Sequence, residues 1–137
     1  MIMFPPLMAN GWQLCAALYG LFFGLRMVWP GIFGIGETTR LVLNLGDLKH
    51  FYTYVGVMIV AHSLSSFVSV CLLDGRSYWC PSFSSTGAAM WTFVGISHAA
   101  LEMGAGSLPS WGVFEFLLGI GLVVSTAQRA RHAALII

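Results

Sequence analysis

Two ionisable side chains, His98 and Glu102, lie in the mostly apolar stretch of residues 90–103. Their spacing of four residues places them on one face of a helix. Ionisable groups at bilayer depth are costly, so they usually face protein, a water-filled cavity or each other. We therefore expect His98 and Glu102 to face protein and to hold an inter-helix contact, in which the imidazole can share the carboxyl proton. A proton relay within a larger enzyme complex is the catalytic alternative.

A second polar face is predicted on the preceding apolar stretch, where His62 and Ser66 recur at helical spacing. Two imidazoles on adjacent helices can ligate a haem b iron from opposite sides, so His62 and His98 define a haem or quinone alternative. The three cysteines form no CxxC pattern. We therefore expect no metal, no cofactor and no catalytic residue. Whether Cys71 and Cys80 pair is left open.

The composition is that of an integral membrane protein. The 137 residues are 58% hydrophobic and only 8% charged, whereas soluble domains carry about 25% charged residues. The formal net charge of +1 offers no electrostatic footprint for nucleic acid. The length allows one transmembrane domain and no separate soluble one.

Four apolar stretches predict an all-α, polytopic bundle of four transmembrane helices. In the connection at residues 31–49, the apolar segment LVLNLGDL is too short to span, so we expect a loop with a short interfacial helix. Glu115 is expected in the first turn of the last span, where the helix dipole favours a carboxylate. Four spans put both termini on one side, and the distribution of Lys and Arg leaves the orientation open. The expected spans are residues 10–29, 50–73, 86–104 and 111–127.

Small residues on several predicted helices indicate close helix packing. Ala16, Gly20 and Gly24 recur at every fourth position of the first span, and such ridges let helix backbones approach closely. Gly95 and Gly121 provide similar positions on the third and fourth spans. One four-helix bundle does not need this many small-residue ridges for its own helix contacts. We therefore expect contacts with other membrane protein subunits as well as with lipids.

The third predicted helix and its following link carry a resemblance to a known family. Residues 91–93 (Trp-Thr-Phe) lead into residues 97–102 (SHAALE), which contain His98 and Glu102. Residues 106–113 (GSLPSWGV) then form a Gly- and Pro-containing link. Over residues 49–125 the chain resembles the Erg28-like family, small four-span membrane scaffolds of sterol biosynthesis. The resemblance implies a scaffold that holds sterol C-4 demethylation enzymes together in the endoplasmic reticulum.

The expected function is that of a non-catalytic accessory or scaffold subunit in a multi-subunit membrane complex. The connections are too short to hold a catalytic domain. The alternative is an accessory subunit of a respiratory complex or ATP synthase in the mitochondrial inner membrane.

Overall fold

The computed structural model describes residues 6–33, 48–71 and 79–134. These residues form helices and turns, which confirms the all-α prediction. The expected interfacial helix falls largely on residues 34–47, outside the described residues, as does the side chain of Cys80. Cys15 and Cys71 carry free thiols. The helices are α1 (Pro6–Val28), α2 (Pro30–Phe33), α3 (Leu48–Cys71), α4 (Trp79–Gly104) and α5 (Ser110–Ala134).

Three helices are longer than the predicted spans, and the difference is largest for α4 and α5. Helix α4 begins at Trp79, although the serine-rich segment before residue 86 reads as a connection. In α4, the Thr86 hydroxyl bonds within its own helix, where Oγ1 donates to the Ser82 carbonyl at 3.0 Å. Thr126 does the same in α5, donating to the Leu122 carbonyl at 2.8 Å. Such back-bonding lets hydroxyl side chains remain inside a membrane-type helix.

The four long helices form an up-down-up-down bundle in which each runs antiparallel to its neighbours. The start of α1 therefore lies beside the end of α5. The connection between α4 and α5 lies at the opposite end, beside the end of α1. The pairs that fix these directions are Asn10 with Arg129 and Tyr19 with Glu115 for α1 and α5, Gln13 with Ser66 and Gly24 with Gly56 for α1 and α3, and Ser84 with Thr126 and Glu102 with Gly112 for α4 and α5.

Glycines bring the helices together as two close pairs, α1 with α3 and α4 with α5. A Cβ atom built on Gly24 would lie 2.7 Å from Val60 Cγ2 and 3.0 Å from the Gly56 carbonyl oxygen. A Cβ atom built on Gly95 would lie 2.8 Å from the Gly112 carbonyl oxygen. Contacts at these distances leave no room for a side chain, so the glycines set the spacing within each pair.

The other small residues singled out in the sequence also lie at helix contacts. Gly20 faces Ser63 and Trp91, and Gly121 lies directly against the Trp12 ring. Ala16 is buried in the apolar core where the pairs meet. The core thus depends on small residues for close approach and on Trp91 to fill the space that remains.

Helices α1, α3 and α5 each contain a stretch long and apolar enough to cross a membrane. These stretches are Asn10–Val28, Tyr52–Cys71 and Ser110–Arg131, and their outward faces expose large apolar side chains. Three such helices indicate an integral membrane protein. Helix α4, with 26 residues, is long enough but falls below the same hydropathy, because it contains His98 and Glu102 as well as several serine, threonine and glycine residues. The structure thus supports three of the four predicted spans.

Candidate functional site

A single buried carboxyl group, that of Glu115, connects three helices. The Tyr19 hydroxyl on α1 donates a hydrogen bond to Glu115 Oε1 at 2.8 Å. On α4, His98 Nδ1 lies 2.8 Å from Glu115 Oε2. Glu115 itself is 0% exposed and His98 is almost fully buried. Because both carboxyl oxygens are engaged by different helices, Glu115 fixes the two helix pairs against each other.

His98 and Glu102 both contact α5, as expected of residues that hold an inter-helix contact, but they do not pair with each other: the acidic partner of His98 is Glu115 on α5. Close packing explains the difference: at Gly95 and Gly112 the two helix backbones nearly touch, so a side chain of α5 reaches the imidazole directly. The position predicted for Glu115 is also wrong. Since α5 begins at Ser110, Glu115 lies beyond the first turn. The signal in the sequence was an acid alone in an apolar helix, which needs a buried partner.

Glu102 has a different role at the connection between α4 and α5. Its Oε2 accepts the backbone N–H of Gly112 at 3.0 Å, and its Oε1 accepts that of Trp111 at 3.3 Å. The first N–H groups of a helix have no acceptor within that helix, and the helix dipole favours an anion there. Glu102 thus caps α5 from the neighbouring helix, and Gly106, with φ +78°, allows the chain to turn between them.

Aromatic rings enclose the cluster of Tyr19, His98 and Glu115. The Tyr19 ring packs at 5.2 Å on Trp91 and at 5.1 Å, edge to face, on Phe114, both measured between ring centroids. Phe23 contacts His98, with ring centroids 6.2 Å apart. This packing excludes water and strengthens the hydrogen bonds inside the cluster.

A second set of polar contacts joins the same helix pairs near the start of α1. Gln13 Nε2 donates to Ser66 Oγ at 2.9 Å, while Gln13 Oε1 accepts from Arg129 Nη1 at 2.6 Å. Arg129 Nη2 also donates to Asn10 Oδ1 at 2.6 Å. Ser66 therefore makes an inter-helix contact, but its partner is Gln13. Gln13 could not be predicted as a contact residue from the sequence, because a lone neutral amide gives little signal within an apolar stretch.

The two imidazoles of the haem alternative lie at different levels of the bundle. His62 faces the first part of α4, with Nδ1 3.5 Å from Thr86 Oγ1 and Nε2 close to Gly87. Gly87 and His98 are eleven residues apart on α4, or about 16 Å at 1.5 Å per residue. His62 and His98 therefore do not face one another across a single iron, and the haem site proposed from the sequence does not fit.

Within the described residues, no group of three or more His, Cys, Asp or Glu side chains lies close enough to hold a metal ion. Comparisons with protein-family models, curated proteins and solved structures find no match to this chain. The inter-helix contacts of the bundle are therefore the observations on which a function is proposed.

Proposed function

We propose that this protein is a non-catalytic scaffold or accessory subunit of a multi-subunit membrane complex. The observation that supports the proposal is that the polar side chains of the bundle bind one another across helix contacts. Glu115 ties α1, α4 and α5 together, Glu102 caps α5, and Gln13 links Ser66 to Arg129. Enzyme and ligand sites are concave, with a few polar groups converging on open space. Here these polar groups converge on each other and stabilise the bundle.

The outward face of α4 and α5 is the surface we assign to a partner. An open groove of about 570 Å³ runs along it, and five of the eight residues that line it are alanine, serine or threonine. Large apolar side chains are exposed on all four long helices, for example Phe22 on α1, Met58 on α3 and Phe93 on α4, and these suit lipid. The groove differs from the rest of the surface in its small residues. Small residues let another helix approach closely. The residues that line the groove are Ser85, Ala88, Ala89, Thr92, Phe93, Ile96, Val123 and Thr126.

A partner helix in this groove also accounts for the low hydropathy of α4. A helix that faces lipid gains from large apolar side chains, whereas one enclosed by protein on every side does not need them. With α3 and α5 on its inner side and a partner on its outer side, α4 would meet little lipid. We therefore propose that the partner contributes a transmembrane helix that packs on α4.

Filling the groove should separate the protein from its complex without disturbing its own fold. We expect Ala89→Trp to abolish co-migration with partner subunits on blue-native gels of mild-detergent extracts, because the indole occupies the space of the partner helix. The matched control is Ala61→Trp, at an exposed alanine on α3, which should leave co-migration intact. Wild-type assembly of Ala89→Trp would contradict the assignment of this face.

Mass spectrometry of the subunits lost from the Ala89→Trp complex would identify the partner. If the resemblance to the Erg28-like family extends to function, the partners are sterol C-4 demethylation enzymes of the endoplasmic reticulum. Subunits of a respiratory complex or of ATP synthase would place the protein in the mitochondrial inner membrane instead.

We also propose that α4 crosses the membrane with α1, α3 and α5, because the bundle keeps it antiparallel and level with α5. In a variant without native cysteines, single cysteines would replace Ser82, Ser107 and Arg131. We expect an impermeant maleimide to label positions 82 and 131 from one side and position 107 from the other. Labelling of positions 82 and 107 from the same side would rule out a spanning α4.

A further inference from the structure

A small cavity lies where the four long helices meet, away from the Glu115 cluster. The space open to the centre of a water molecule is about 10 Å³, which is roughly what one bound water requires. One part of its wall is apolar, formed by residues such as Trp91 and Leu122. The rest is polar and is formed by Gln13 and by three residues of α3, His62, Ser63 and Ser66.

Ser63 makes this cavity unusual. Its side chain is buried, with the residue 1% exposed, and its Oγ atom has no hydrogen-bond partner in the part of the chain that the structure describes. Leaving a buried hydroxyl unpaired costs about 1–3 kcal/mol. The other buried serines behave differently: Ser69 donates to the Ser66 carbonyl at 2.8 Å, and Ser84 donates to the Leu122 carbonyl at 3.3 Å.

We propose that the cavity binds one water molecule, held between the hydroxyl groups of Ser63 and Ser66. These residues are three positions apart on α3 and therefore lie on the same face, and both line the cavity. Ser66 Oγ accepts its hydrogen bond from Gln13, so its own hydroxyl hydrogen can be donated to the water. The water in turn donates to Ser63 Oγ. Buried waters have two to four polar partners, and this arrangement supplies them.

The water would extend the polar contacts between the helix pairs. Arg129 bonds to Gln13, and Gln13 bonds to Ser66. The water continues this chain of hydrogen bonds to Ser63, deep in the contact between α1 and α3. The site is a feature of the bundle itself and does not depend on a partner subunit.

Water-edited solid-state NMR of the protein in lipid bilayers tests the proposal. Magnetisation from water reaches side chains that touch a water molecule at short mixing times. We expect early transfer to Ser63 and Ser66 but not to Ser69, which is equally buried and does not line the cavity. If Ser63 and Ser66 received magnetisation no earlier than Ser69, the proposal would be overturned, and this outcome requires no variant to fold.

Two serine variants separate the bound water from bulk solvent. Ser63→Ala should reduce early transfer to Ser66 to the level of Ser69, because the water loses one of its two hydroxyl partners. Ser65→Ala is the matched control on the same helix: its hydroxyl is exposed and bonds to the Ala61 carbonyl at 2.9 Å. It should leave transfer to Ser66 unchanged. Unchanged transfer to Ser66 in Ser63→Ala would show that Ser63 does not hold the water.

Discussion

Replacing Glu115 with leucine should lower the free energy of unfolding by about 3 kcal/mol, because two buried polar groups lose their carboxylate and each costs about 1–3 kcal/mol. These groups are the Tyr19 hydroxyl, 2.8 Å from Glu115 Oε1, and the His98 imidazole, whose Nδ1 lies 2.8 Å from Glu115 Oε2. Two average inter-helix hydrogen bonds in a membrane protein would account for only about 1.2 kcal/mol, at about 0.6 kcal/mol each. The larger value is expected because His98 is almost fully buried and the Tyr19 ring packs against Trp91 and Phe114.

The size of this effect is measurable by reversible SDS titration in mixed micelles, followed by tryptophan fluorescence. Glu115→Gln should cost only about 1 kcal/mol, since the amide can still accept from Tyr19 and retains roughly the shape of the carboxyl group. Glu102→Gln is the control outside the cluster. It keeps an acceptor for the start of α5 and loses only the charge, an effect of about 0.3–1 kcal/mol. A loss below about 1 kcal/mol in Glu115→Leu would show that the cluster contributes no more than ordinary inter-helix bonds.

The difference between Glu115 and Glu102 shows how far the sequence could predict the site. Helical spacing correctly indicated that His98 and Glu102 share a face of one helix, because that relation is local. The actual partner of His98 depends on where α5 packs against α4, which is set by backbone contacts at Gly95 and Gly112. Hydropathy and periodicity within one segment carry no information about that register.

The same limit explains the helices themselves. Hydropathy located α1, α3 and α5, whose outward residues are large and apolar, and it placed the start of α4 seven residues too late. Ser82 reads as a loop residue in isolation, yet it lies inside α4, where its carbonyl accepts a hydrogen bond from the Thr86 hydroxyl one turn later. Helical segments rich in hydroxyl side chains resemble loops in hydropathy, so their boundaries are the hardest to predict.

Replacing Gly95 with alanine should separate α4 from α5 and lower the free energy of unfolding by about 3 kcal/mol, the upper end of the usual cost of overpacking. The new methyl group would overlap the backbone nitrogen of Phe116 and lie 2.8 Å from both Phe116 Cα and the Gly112 carbonyl oxygen. A side chain can rotate away from such a contact, but a helix backbone cannot. The two helices must therefore move apart along their length.

Gly104→Ala is the matched control, because it makes the same substitution at the end of the same helix, where a Cβ atom meets nothing within 4 Å. Alanine favours a helix over glycine by up to about 1 kcal/mol, so Gly104→Ala should be neutral or slightly stabilising in the same SDS titration. Equal stability of Gly95→Ala and Gly104→Ala would show that the close contact is not required.

The overlap at Gly95 also predicts an effect on the cluster of Tyr19, His98 and Glu115. Moving α4 away from α5 lengthens the distance between His98 and Glu115. In the double variant, the loss of unfolding free energy should therefore be smaller than the sum of the losses in Gly95→Ala and Glu115→Leu. The first substitution already weakens the contact that the second removes.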